Sequence, residues 1–410
     1  MPATRGEALH HLDSFVPLAA SHYARERNYD RGPKHRGNVS QLSAAIQRRL
    51  ITEQEVLQAI SKAHSLEACE KFAQEVLWRS YWKSWLELRP SVWRDYQNSL
   101  STLLSFESPV YSRALHAQTS IECFDYWRKE LFETGYLHNH ARMWFASIWI
   151  FTFKLPWQLG AKLFEEELCD FDPAANTLSW RWVAGLHTPG KHYLATAQNI
   201  SQYTESRFSP ENQLIENAPC LTFKAPSLEP LKEEYLPFQG SADKVGLLLH
   251  PEDFSPETID WVNFSPQSTA VLDPGLISFW GQKSSRVHAY NRKAVADLIG
   301  RHQSIGSTVE LLSDGNLTEK LKGWINRHAL KEIYLIKPWQ GYLKDQWAVA
   351  EKNLTSQGVS FYYLRRDYDK EFSQKAHSGF FSFKSELGPV WSRIKTERNK
   401  ERLWKVKELK

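Results

Sequence analysis

Cysteine is scarce in this 410-residue chain: Cys69, Cys123, Cys169 and Cys220 are widely spaced and form no C-x-x-C pair. That excludes a disulfide framework and a zinc ribbon, and no metal site is expected. Long hydrophobic runs are missing too. None approaches the roughly 18 residues a membrane-crossing helix needs, and the polar start Met1-Pro2-Ala3-Thr4-Arg5-Gly6-Glu7 has no apolar signal region. The expectation is a soluble, cytoplasmic protein with reduced thiols. Charge of one sign is not in excess either. A net charge of +4 leaves the partner open, because basic character identifies nucleic-acid binding only when it is concentrated on one face. There is no internal repeat and no low-complexity tract, and the length suits two or three domains with substantial cores.

Aromatics are abundant: 17 Trp, 16 Tyr and 21 Phe, with the tryptophans concentrated between Trp78 and Trp182. Such density builds helical cores, but indoles also surround flat cofactors, stack on bases and relay electrons. Composition does not choose among these.

Residues 8 to about 215 read as helical. Leu42, Ala45, Ile46, Leu50, Val56 and Ile60 recur at helical intervals, and Thr52 with Glu55 forms a capping box. Segments 68–88, 121–134 and 137–154 continue the pattern. Pro210, Pro219, Pro226, Pro230 and Pro237 then mark a connector. Beyond it, short apolar runs at 244–249, 269–272, 308–312, 332–336 and 359–364 alternate with helical stretches at 291–302, 316–328 and 343–356. Buried strands alternating with helices predict a doubly wound parallel α/β unit covered on both faces. The expected organisation is a helical domain 1–215, a linker 216–243, an α/β domain 244–385 and a basic tail 386–410. From Arg393 to Lys410, eight Lys/Arg stand against three Glu, a balance of +5, which suits either a solvated helical tail or a nucleic-acid or partner contact.

Two segments carry polar groups inside tryptophan-rich surroundings: Gly135 to Met143 and Cys169 to Trp182. Unpaired polar groups in such places cost roughly 2–7 kcal/mol by transfer. Something polar is expected between them.

Five blocks, in order, resemble the flavin-binding domain of the DNA photolyase and cryptochrome family. They are Tyr23 to Arg27 followed by Gly37 to Ser43; Glu75-Val76-Leu77-Trp78-Arg79; Phe124-Asp125 through Arg128; Thr134 to Asn139 with Arg142-Met143; and Asp170 to Trp182. The resemblance implies a helical FAD-binding domain. Tyr23, Ser40, Leu42, Ser43, Glu75, Arg79 and Asn139 would hold the cofactor, with hydroxyls around a helix start near Ser40 where backbone N–H groups favour an anion. Arg142 and Asp170 would pair over the redox-active edge of the ring, Asp172 would face its polar side, and Asn176 would stand at N5. Asparagine at that position is similar to photolyases rather than to plant or animal cryptochromes. Glu75, Trp78, Asn139, Met143 and Trp182 match the residues that hold a cyclobutane pyrimidine dimer swung out of DNA. Trp180 and Trp157 match the first two indoles of the family's electron-transfer chain, and Arg27 and His140 lie where DNA is contacted.

There are departures. His140 replaces an arginine, Val39 replaces a threonine and Ser80 an acid, while the third relay position falls in Leu103-Leu104-Ser105, which has no indole; Trp127, Trp144 and Trp149 are candidate substitutes. The α/β half resembles the family's antenna domain, through Val245 to Asp253, Asn291 to Leu364 and Gly379 to Trp391, placed after the flavin domain instead of before it, as in a circular permutation. Whether a second chromophore, folate or deazaflavin, binds there is left open. The implied function is light-driven repair of pyrimidine dimers in damaged DNA by reduced FAD. The rival is a cryptochrome-like blue-light photoreceptor that signals through a partner protein.

Overall fold

The computed structural model describes residues 1–188, 190–222, 225–231, 244–259, 264–277, 279–303, 308–373 and 375–396. Its first half holds α1 (Arg5–Phe15), α2 (Ser21–Glu26), α3 (Ser43–Gln47), α4 (Glu53–Ala63), α5 (Leu66–Glu87), α6 (Pro90–Leu103), α7 (Pro109–Leu115), α8 (Glu122–Thr134), α9 (Asn139–Ser147), α10 (Trp157–Glu167), α11 (Pro173–Val183) and α12 (Ala197–Tyr203). The second half holds β1 (Val245–Leu249), β2 (Ser268–Leu272), α13 (Ser285–Gln303), β3 (Val309–Leu312), α14 (Leu317–Arg327), β4 (Glu332–Ile336), α15 (Tyr342–Thr355), β5 (Ser360–Leu364), α16 (Asp367–Ser373), α17 (Phe380–Lys384) and α18 (Leu387–Thr396). No helix among the described residues is long and apolar enough to cross a membrane.

The helix ends follow local chemistry. The Thr52–Glu55 capping box forms at the start of α4. The 22 residues of α5 contain no Gly or Pro, begin at Ser65, whose side chain accepts from Ala68 N, and stop before Pro90, which opens α6. Helix α8 ends at Gly135 in the left-handed region, φ 65°. A Cβ there would lie 2.7 Å from Cys169 Sγ, so only glycine lets these segments meet, and Cys169 N donates to Gly135 O at 2.9 Å. This close approach sets the entrances to α9 and α11 side by side. Helix α9 runs on into a π-helical turn, Ile148–Thr152.

The five strands form one parallel sheet in the order β3-β2-β1-β4-β5. The strand order reverses at β1 and β4, where such sheets usually bind ligands beyond the strand ends. Here the space beside Leu249, His250, Asp253 and Ile336 amounts to about 10 Å³, too little for a second chromophore. Arg49 of the helical half closes that end. It donates to both oxygens of Asp369 at 2.7 Å and to Asp253 at 3.3 Å, while Arg366 also grips Asp253.

Residues 387–396, placed by the sequence inside a basic tail, form α18. Leu387, Val390, Trp391 and Ile394 repeat at helical spacing and are buried, and α18 lies against α4 and α5. The rest of the expected tail, 397–410, lies outside the described residues. The expected linker 216–243 is described only at 216–222 and 225–231, as irregular chain. Helix α13 begins at Ser285, six residues earlier than the sequence pattern suggests.

Candidate functional site

Helices α5, α9 and α11 converge, with α11 packed against the other two. Spacing of three or four residues puts Glu75, Trp78 and Arg79 on neighbouring turns of α5, Asn139, Arg142 and Met143 on one face of α9, and Asn176 and Trp180 on one face of α11.

The Arg142–Asp170 pair is present. Arg142 Nη2 donates to Asp170 Oδ2 at 2.8 Å, and Arg142 Nε donates to Leu137 O at 2.9 Å. Burial disfavours the Arg142 charge, yet Asp170 raises its pKa above the ordinary arginine value, so the guanidinium stays charged. Asp170 Oδ1 is buried without a hydrogen-bond partner. Asp172 caps α11, accepting from Ala175 N at 2.9 Å, and lies 3.6 Å from Lys83. Burial pushes its pKa up, but Lys83 and Arg79 together hold it below the usual carboxylate range. Asn176 Nδ2 donates to Ala161 O of α10 at 2.9 Å, which fixes the amide plane.

On the facing side, Arg79 has its Nε 3.9 Å from Glu53, and its Nε and Nη2 are buried without hydrogen bonds. Ser43 Oγ is buried and unpartnered as well. Helix α3 starts at Ser43, not near Ser40, and is one turn long, so its dipole adds little for an anion. Leu42 N donates to Ser40 Oγ at 3.5 Å, and Leu42 is fully buried. Tyr23 is buried edge-on to Phe15 and Phe72, and burial, then Glu75, pushes its hydroxyl pKa up. Glu75 is bound to Arg27; burial raises its pKa, opposed by Arg27.

The residues matched to lesion binding divide. Asn139 is exposed and Met143 half-buried on α9. Trp182 lies parallel to Tyr193, ring centroids 6.0 Å apart. Trp78 stacks on Phe380 of α17 with centroids 3.6 Å apart and planes at 7°, so one indole face is covered by the chain's own C-terminal segment. Tyr81 and Arg89 anchor that segment through Ser378 O, Ala376 O and His377 O. His140, expected at a DNA-contacting rim, turns inward: its Nδ1 meets Asn28 O at 2.9 Å, its Nε2 meets the Tyr193 hydroxyl at 3.3 Å, and its ring stacks on Trp144. Both ring nitrogens are spent inside the fold. Ser80 likewise faces inward, 3.1 Å from the Tyr368 hydroxyl.

Among the indoles, Trp180 is buried against Gly160 of α10, where any Cβ would run into its ring. Trp149, carried by the π turn and held by Pro156 O, meets Trp180 edge-on at 6.3 Å. Trp157 stacks on Tyr96 of α6 at 5.4 Å and 25°. Trp127 and Trp144 form a separate stack beside His140.

Sequence reasoning missed Lys83, Glu53, Tyr96 and Phe380. Lys83 follows Arg79 by one helical turn on α5, and that spacing could have exposed it. Tyr96 and Phe380 meet their partners only through tertiary packing.

Nearby His187 lies among Trp82, Trp85 and Tyr81, and burial, then Arg181 and Arg89, pushes its pKa down to about 4. The folded protein thus binds this proton less readily than the unfolded chain. Stability is full above about pH 6.5 and falls as pH drops toward 4, by roughly 3 kcal/mol for this residue. Denaturant unfolding of His187→Gln across that window is expected to show a flatter acid limb by about one proton; an unchanged slope would refute the assignment.

Buried, unpartnered oxygens and nitrogens at Asp170, Arg79 and Ser43, with a charged arginine between them, suit a ligand that offers both anionic and hydrogen-bonding atoms, as FAD does. Among the described residues no group of His, Cys, Asp or Glu could hold a metal ion.

Comparison with known proteins agrees with that chemistry. Residues 72–217 match the family described as the FAD binding domain of DNA photolyase. A deoxyribodipyrimidine photo-lyase of Agrobacterium fabrum is 27% identical over 251 residues, 58% of this chain and 50% of that protein. A cryptochrome DASH of Idiomarina loihiensis is 30% identical over 145 residues, 35% of this chain and 31% of that protein. The chain thus spans half or less of the length of these relatives. A crystal structure of a bacterial class III photolyase from Agrobacterium tumefaciens aligns with a TM-score of 0.42 and 24% identity, covering 49% of this chain and 42% of that one.

Proposed function

This chain belongs to the photolyase/cryptochrome family, and on that premise we propose that it is a light-driven flavoprotein that splits cyclobutane pyrimidine dimers in DNA, a deoxyribodipyrimidine photo-lyase. The observation that carries this reading is the Arg142–Asp170 pair beside the unspent polar atoms of Asp170, Arg79 and Ser43. Bound and reduced, FAD supplies an electron when it absorbs light, and the protein supplies placement and electrostatics.

The residues take the following parts. Arg79, Ser43, Ser40 and Tyr23, with the backbone at Leu42, hold the phosphates and hydroxyls of the cofactor. Arg142 offsets negative charge on the ring, and Asp170 keeps Arg142 charged and in place. Asp172 fixes the start of α11, and with it Asn176 at the ring edge. Glu75, Asn139, Met143, Trp182 and the uncovered face of Trp78 hold the flipped dimer, and Arg27 contacts phosphate, giving an affinity that falls with salt.

The second reading, a photoreceptor acting through a partner protein, is favoured by one specific feature: Phe380 occupies a face of Trp78 that a base would otherwise use. Anaerobic blue-light illumination of the reduced protein with dimer-containing single- and double-stranded oligonucleotides separates the two. Repair predicts light-dependent loss of dimers. Fully reduced flavin with intact dimers would refute repair and leave the photoreceptor reading.

A further inference from the structure

The position expected to hold a third relay indole contains none, yet the structure does not seal Trp157 off from solvent. Trp157 and its stacking partner Tyr96 form part of the wall of a groove of about 670 Å³, within the size range of small-molecule sites. The groove runs between α6, the segment joining the π turn to α10, the end of α11 and the strap Ala218–Thr222. Its walls are largely apolar, from Ile150, Phe151, Leu155 and Leu186, and its charged groups are Lys154 and Arg181 against Asp95. The strap is held by Leu221 N donating to Ala184 O at 3.2 Å and by Cys220 Sγ lying 2.9 Å from His192 Nδ1. Arg181 donates to Leu186 O at 3.0 Å, so its charge is fixed at the groove's inner end, while exposed Lys154 stands at the mouth.

We infer that this groove is a docking site for a small anionic reductant, a thiol bearing a carboxylate, which refills Trp157. The inference rests on the flavin reading above. The electrons balance as follows: one electron leaves the Trp157 indole toward the light-excited flavin, and the oxidised indole takes one electron from the thiolate sulfur, which becomes a thiyl radical. No proton moves, because the thiolate is already deprotonated. An aromatic pair touching a groove with two cations and one carboxylate replaces the missing surface indole with a bound donor. Charge selects that donor, since an excess of one sign in an apolar cleft concentrates the opposite sign.

Two measurements test it. In the flavin-loaded protein under blue light, bleaching of the oxidised flavin is followed against the concentration of 3-mercaptopropionate, 2-mercaptoethanol and cysteamine, compared at equal thiolate concentration and low ionic strength. The anionic thiol is expected to saturate and to act about fivefold faster than the cationic one. Lys154→Glu or Arg181→Gln is expected to bring that ratio toward one, and Lys154, being exposed, carries the test should the Arg181 variant fail to fold. Rates that rise linearly and ignore charge would overturn the proposal. In the dark, iodide quenching of tryptophan fluorescence is compared with caesium quenching, and Trp157→Phe is expected to remove an iodide-sensitive fraction. Unchanged iodide quenching would overturn the proposal even in protein free of flavin. Absence of flavin, or of bleaching with every thiol, would instead strike the flavin reading.

Discussion

Replacing Asp170 with Asn is expected to strip the purified protein of most of its flavin. Asp170 is nearly inaccessible and binds Arg142 through Oδ2, while its Oδ1 has no partner in the protein. Asparagine keeps the shape and can still accept from Arg142 Nη2, but it removes the negative charge that holds the guanidinium. Breaking a buried pair by removing one partner typically costs about 3–5 kcal/mol, because the remaining charge is left uncompensated. Part of that loss falls on the fold, since Arg142 also ties α9 to Leu137 O. The rest falls on the cofactor, and a flavin affinity at least tenfold weaker is expected, equivalent to about 1.4 kcal/mol. The check is the ratio of flavin to protein absorbance after purification, together with flavin titration of the cofactor-free protein. A variant that retained its flavin at the parent affinity would show that the pair is a structural bridge only.

The second large effect is expected at Arg49. This guanidinium lies at the meeting of the helical half and the sheet, bound through two nitrogens to Asp369 and through one to Asp253, with Glu53 at 3.3 Å. Burial disfavours its charge, but the surrounding carboxylates raise its pKa well above the ordinary arginine value. Arg49→Met would leave Asp369 facing a thioether and weaken the hold on Asp253, although Arg366 still grips Asp253 from the other side. The expected cost is about 3–5 kcal/mol of stability, read by denaturant unfolding. Asp369→Asn in the Arg49→Met background should recover part of it, because the orphaned charge is removed. Failure of the double variant to recover any stability would mean that lost packing, not unbalanced charge, carries the effect.

Much of the fold is legible in the sequence because it is written locally. The capping box at Thr52, the long uninterrupted α5 and the five apolar strand segments each depend on residues within a few positions of one another. The Arg142–Asp170 pair was accessible through its motif, not through its spacing. What escaped the sequence depends on contacts between distant segments. Trp78 and Phe380 are separated by most of the chain, and nothing in the periodicity of either helix says that they stack. Tyr96 sits at an ordinary core position of α6, and only the fold sets it on Trp157. His140 was expected at a rim because of its neighbours in the motif, but Asn28, Tyr193 and Trp144, from three other places, draw it inward. Helix α18 was hidden by composition: its basic residues dominate the count, while Leu387, Val390, Trp391 and Ile394 decide where it packs.

The claim on which everything else depends is that α5, α9 and α11 hold one FAD. It is tested most directly by the flavin content of the purified protein, with reconstitution of any cofactor-free fraction by added FAD. The account predicts one FAD per chain, released on unfolding and reducible under blue light. A protein that carries no flavin and takes none up would contradict it.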